Sequence, residues 1–185
     1  MALASPDLKK VGIAYYDFTL PGPDSYQNTL ETTSIFFLKK VEQMQAVERM
    51  TVHKGYFSYS VLQIVPNLDN IVAPGAQIEI FYFILGAKPK EAEPGQQAKN
   101  DIEVDYHVQK EDGTLAIRWS PQKYDSALVP GQALPLKQTV QITDDKGGKK
   151  TETRDLGPGK YDLVLKITDK VSGETLEKKI GFEVK

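Results

Sequence analysis

The chain has 185 residues, 40% of them hydrophobic, with a net charge of -2 and no cysteine. That is enough apolar material for a sizeable core, and it excludes disulfides, Cys-ligated zinc and thiol catalysis. Lys and Glu are interspersed, so no basic block marks a nucleic-acid surface, and no apolar run approaches the roughly 18 residues of a membrane span.

Residues 1–10 are expected to fray. Within them Ala2-Leu3-Ala4, before Ser5-Pro6, has the small-x-small form of a signal cleavage site, or is a chance pair of alanines. Val11 to Leu20 is rich in β-formers and stops at Pro21-Gly22-Pro23. Asp24 to Asn28 reads as a loop, and Thr29 to Val41 as a second strand, the two strands forming a hairpin with a long connection. In residues 41–54, Val41, Met44, Val47 and Met50 are spaced like one side of a helix. No good cap precedes them, so a short helix and an extended linker both stay open.

From Tyr56 the pattern is regular. Phe57 to Val65 predicts a strand ending at Pro66-Asn67. Gln77 to Leu85 is apolar on nearly both faces, which places it mid-sheet with both sides covered. Residues 87–99 hold Pro89, Pro94 and Gly95 among charges and predict a mobile loop. Ile102 to Val108 alternates with period two, Glu111-Asp112-Gly113 predicts a tight turn, and Leu115 to Trp119 follows. Residues 120–132 predict a second long loop, and Leu134 to Ile142 one strand before a turn at 144–148. The last two strands are Tyr161 to Thr168 and Leu176 to Val184, joined by a hairpin at Asp169 to Gly173. Pro66 and Pro135 mark their strands as sheet edges.

Seven strands from residue 56, with turn signals every 8–15 residues, predict an all-β sandwich of the immunoglobulin or fibronectin-III kind. No strand–helix alternation supports a parallel α/β sheet. The organising stretch is Asp155 to Asp169. Leu156, Gly159 and Tyr161 have the Leu-x-x-Gly-x-Tyr form of a tyrosine corner, in which a buried Tyr bonds backbone a few residues upstream.

These residues, together with Val72-Ala-Pro-Gly-Ala-Gln-Ile-Glu-Ile-Phe-Tyr-Phe, Val104-Asp-Tyr-His-Val, Asp169-x-x-x-Gly and a closing Phe182-Glu-Val184, resemble the C-terminal Ig-like module of exported bacterial proteins such as the GWxTD-domain and von-Willebrand-related families. The GWxTD pentapeptide itself is absent. The resemblance covers about residues 55–185 and implies a sandwich module there. Residues 1–54 then read as a β hairpin and linker, either the remnant of a preceding module or strands added to this one.

Catalysis needs a nucleophile with a base, or paired carboxylates. His107 sits on the polar phase of its strand and His53 beside Lys54, neither at metal-ligand spacing. Asp69 with Asn67 and Asn70, and Asp144 with Asp145, match no calcium loop and suit turns. Aromatics carry the remaining signal. Trp119 and Tyr124 are candidates for a carbohydrate-binding platform, although Trp119 shares a phase with Leu115 and Ile117. Tyr15, Tyr16 and Phe18 lie on both faces of the first strand and would mark a protein interface if exposed. The reading is a non-catalytic, cofactor-free structural or protein-interaction module. The resemblance implies an extracytoplasmic setting, in the periplasm or at the cell surface. The alternatives are a carbohydrate-binding module and a subunit of a larger surface or membrane-associated assembly. Contact with a partner would use a sheet edge or the loops 87–100 and 120–132.

Overall fold

The computed structural model describes residues 2–4, 11–13, 24–27, 29–44, 56–92, 94–95, 97–126, 128–143 and 148–185. Its regular elements are all strands: β1 (Ala2–Ala4), β2 (Val11–Ile13), β3 (Glu31–Thr32), β4 (Phe36–Gln43), β5 (Phe57–Tyr59), β6 (Leu62–Pro66), β7 (Ile71–Val72) and β8 (Gln77–Leu85). After the first long loop come β9 (Ile102–Lys110), β10 (Leu115–Arg118), β11 (Gln122–Tyr124), β12 (Leu128–Pro135), β13 (Lys137–Thr143), β14 (Lys149–Asp155), β15 (Gly159–Asp169) and β16 (Thr175–Val184).

Two sheets form the sandwich. The first runs β10-β9-β15-β16-β7, with β11 continuing along the β10 edge of β9; the second runs β12-β8-β4-β6-β5, with β3 also on β8. Pairing is antiparallel throughout except for the short parallel contact of β7 with β16. The alternation in β9 and β15 works as its spacing dictates. Val104, Tyr106 and Val108 stand opposite Ile167, Leu165 and Leu163 in register on the inner side, with Ile102 opposite Asp169 and Tyr161 opposite Lys110 at the two ends. Opposite them, Ile78, Ile80, Tyr82 and Ile84 of β8 complete a dry core. Burying a side chain of this size contributes about 2 kcal/mol.

The strand plan departs from the sequence expectation in several places, each with a local cause. Phe57 to Val65 is a hairpin of β5 and β6, turned at Ser60, whose φ of 53° is left-handed; no Gly, Asn or Pro marks it. The expected loop 120–132 contains β11 and the start of β12. Pro130 and Pro135 are tolerated because β12 is an edge, bulged between Val129 and Gln132. The expected strand Leu134 to Ile142 breaks at Leu136, whose N–H still donates in register to the Ala76 carbonyl at 3.1 Å while its own carbonyl accepts from Leu156 N at 2.8 Å. From there β13 leaves the sandwich and pairs with β14 from Lys137↔Asp155 to Thr143↔Lys149. The charged Lys149–Asp155 run has no apolar phase, so alternation could not announce it. With these additions the chain has β5 to β16 beyond residue 56, more strands than seven.

At the N-terminus, Val11–Ile13 of β2 pair with β1. Residues 31–43 join the sandwich: Phe36 and Phe37 pair with Phe81 and Ile80, and β4 then pairs with β6. Leu30 and Phe37 belong to the main core, and the Phe37 ring meets that of Phe182 edge-on at 5.8 Å. Apolar side chains at these positions need cover, and β8 and β16 supply it. Val41 to Gln43 are strand; the helix-or-linker question for residues 45–54 lies outside the described residues, as do the rest of the first strand and the 144–147 turn.

Candidate functional site

The two sheets present different outer faces. On the first, Lys170 pairs with Glu103 at 2.9 Å, Arg118 with Asp105, Lys179 with Glu177 at 3.7 Å, and Gln109 donates to Asp162 at 3.4 Å. His107 lies on this face, opposite Val164 and Arg118 in register. This is the polar phase of alternating strands, and such exposed pairs contribute little.

The outer face of the second sheet is aromatic. Inward residues of β8 fill the core, so its outward phase places Phe81 and Phe83 on the other side. Phe36 stands opposite Phe81 in register. The β5–β6 hairpin curls over them, with Phe57 opposite Ile64 and Tyr59 opposite Leu62. Five rings result: Phe36–Phe57 at 5.7 Å, Phe57–Phe81 at 5.8 Å, Tyr59–Phe81 at 6.0 Å, Tyr59–Phe83 at 5.2 Å and Phe81–Phe83 at 5.5 Å. The contacts are tilted or edge-on, the favourable arrangement for ring quadrupoles. Ile64 is fully buried beneath this second, smaller core, yet Phe36 and Tyr59 keep 36% and 38% of their surface in solvent. Contiguous aromatic surface of this kind is where soluble domains contact partners. Sequence reasoning passed over these five residues as a set. Their signal was the doubly apolar phase of Gln77–Leu85, which demands a cover on the outer side as well as the inner.

A chain of phenols crosses the main core. The Tyr82 and Tyr106 hydroxyls are 2.9 Å apart, those of Tyr106 and Tyr124 are 3.0 Å apart, and Tyr124 donates to Gln132 Oε1 at 3.1 Å. Burial pushes all three phenols above the ordinary tyrosine range. Trp119 and Tyr124 both pack half-buried against the core. The Tyr124 hydroxyl is held between Tyr106 and Gln132.

At the corner, the Tyr161 hydroxyl donates to the Gly157 carbonyl at 2.9 Å, and its ring stacks on Phe182 at 5.7 Å. Gly159 reaches φ 150°, a conformation open to glycine. Leu156 is buried, and its N–H donates to Leu136 at 2.8 Å. Tyr15, Tyr16, Phe18 and His53 lie outside the described residues.

The expected mobile loop 87–99 is hydrogen-bonded at its base. Lys90 N donates to Lys99 O at 2.7 Å, Asn100 N to Asp125 O at 3.0 Å, and Lys88 N to the buried Asp169 carboxylate at 2.9 Å. Asp169 also accepts from Val171 N at 2.9 Å and Ser172 Oγ at 2.7 Å. Burial alone would raise its pKa; the hydrogen bonds outweigh that and hold it below the ordinary carboxylate range.

At the opposite end, a shallow groove of about 310 Å³ around Gly181 is lined by Asp69, Glu111, Lys160, Asp162 and Glu183. Among the described residues no three His, Cys, Asp or Glu side chains are placed to hold a metal ion. No helix among them is long and apolar enough to cross a membrane. No family model, curated protein or solved structure matches the chain.

Proposed function

We propose that the chain is a non-catalytic protein-interaction module, immunoglobulin- and fibronectin-III-like in plan, belonging to an exported bacterial protein. Its contact surface is the aromatic outer face of the second sheet. The contrast between the two outer faces carries the reading: ion pairs and amides on one, five rings on the other with Phe36 and Tyr59 left partly in solvent. A large, rigid aromatic side chain supplies contact area at low entropic cost, which is why such rings anchor interfaces. Support for the fold family comes from the corner at Tyr161 and from β7 running parallel to the last strand at the sandwich edge.

A photo-crosslinking amino acid at Tyr59, compared with one at Lys166 on the charged face, tests this in the cells that make the protein. A discrete adduct from position 59 and none from position 166 is the expected result. Its partition into the extracytoplasmic fraction tests the location. Equal labelling from both faces, or none from position 59, overturns the reading.

A further inference from the structure

The outer edge of β16 points to a second, independent contact. The N–H groups of Glu183 and Lys185 donate away from β15, to Asn70 O at 3.0 Å and Val72 O at 3.1 Å, and the Gly181 carbonyl accepts from Asn70 Nδ2 at 3.0 Å. By the alternation of an antiparallel ladder, the backbone of Thr175, Glu177 and Lys179 also faces outward. β7 pairs only with Glu183 and Val184. Among the described residues nothing therefore takes the main-chain groups of Glu177 and Lys179. The other edges are poorly suited to growth. β12 holds Pro130, Pro135 and a bulge, β10 breaks from β11 at Ser120-Pro121, and β5 has 3 residues. The β13–β14 ribbon is a separate two-stranded sheet. The Thr175–Gly181 run has neither proline nor bulge.

We propose that this edge pairs antiparallel with the same edge of a second copy of the chain, about a two-fold axis at Lys178. In that register Glu177 faces the partner's Lys179 and Lys179 faces the partner's Glu177. Each pair exchanges both main-chain hydrogen bonds and joins opposite charges on the outer face. Sliding by two residues either way sets Glu177 against the partner's Glu177, or Lys179 against the partner's Lys179, so charge selects one register. Lys178 points inward, a common guard against edge pairing. Here Glu31 holds its ammonium at 2.5 Å, which neutralises the charge that would otherwise meet its symmetry mate. The interface is isologous and closes, as two-fold contacts do.

Sedimentation equilibrium on the full chain over a concentration series tests the proposal, and it is separate from the aromatic face. The expected result is a monomer–dimer equilibrium that weakens about tenfold in E177K and in K179E and returns in the double variant E177K/K179E. K179P removes an outward N–H without touching the β15 ladder and should abolish the dimer with the fold intact by circular dichroism. A wild type that stays monomeric overturns the proposal. So does a dimer indifferent to the charge reversals, or one lost in Y59S, which would place self-association on the rings instead.

Discussion

The hydroxyl oxygens of Tyr82 and Tyr106 lie 2.9 Å apart inside the sandwich, Tyr82 on one sheet and Tyr106 on the other. The bond is a buried polar link between the layers, and it continues from Tyr106 to Tyr124 and Gln132. A buried polar chain of this kind stabilises when complete and costs when broken.

Tyr106→Phe, in the middle of the chain, should therefore cost about 2–3 kcal/mol, because the neighbours on both sides lose a partner. Tyr82→Phe and Tyr124→Phe, nearer the ends, should each cost about 1 kcal/mol. Urea denaturation of the singles and of Tyr82→Phe/Tyr106→Phe checks this. The double variant should cost less than the sum of its singles. Strictly additive values would mean that the hydroxyls do not act as a chain.

The same phenols set the alkaline limit. Their folded-state pKa values are raised above the ordinary 10.0, so the unfolded chain ionises first. Their contribution to stability is complete below pH 10 and falls as pH rises above it, by about 1.4 kcal/mol per pH unit for each phenol held neutral. Melting temperature measured from pH 8 to 12 should turn down near pH 10, and less steeply in Tyr106→Phe.

Asp169 sets the acid limit with the opposite sign. Its pKa lies below the ordinary 3.8, so the stabilisation is present above that value and is lost as pH falls beneath it. Asp169→Asn should cost about 3 kcal/mol at pH 7, since it removes a charged acceptor from buried donors, and much less at pH 2. A variant equally destabilised at both pH values would contradict the assignment.

Gly86 packs against the backbone of Tyr26 and Thr29. Its φ is +72°, and a Cβ placed there would overlap the carbonyl oxygens of Thr29 and Tyr26. Gly86→Ala combines backbone strain with overpacking and should cost about 3 kcal/mol or more. The drop in melting temperature would be roughly 10 °C for a chain of this size. Gly113→Ala, at a comparable φ but in open space, should cost about 1 kcal/mol and serves as the control.

Much of the inner architecture was legible because β9 and β15 alternate with period two and their core-facing residues meet in register. The Leu156, Gly159 and Tyr161 spacing pointed to a corner whose hydrogen bond is local, reaching back from Tyr161 to Gly157. What escaped was decided by tertiary neighbours. Ser60 turns a hairpin with no turn residue to flag it, and Phe36 finds Phe81 across a long sequence separation. Leu136 keeps its N–H on Ala76 but gives its carbonyl to Leu156. The aromatic face was half visible: the outward phase of β8 asked for a cover, but nothing local named the hairpin that provides it.

Because β8 carries one core on each side, the molecule has two zones of cooperativity that share a wall. Lifting of the β5–β6 hairpin from β4 would leave the main core of the sandwich closed. Amide hydrogen exchange would then divide into two tiers, with β6 exchanging through partial openings and β8 through complete unfolding alone. Whatever settles on Phe36 and Tyr59 would slow the first tier and leave the second untouched, so that binding there would be read in the motion of the hairpin beneath it.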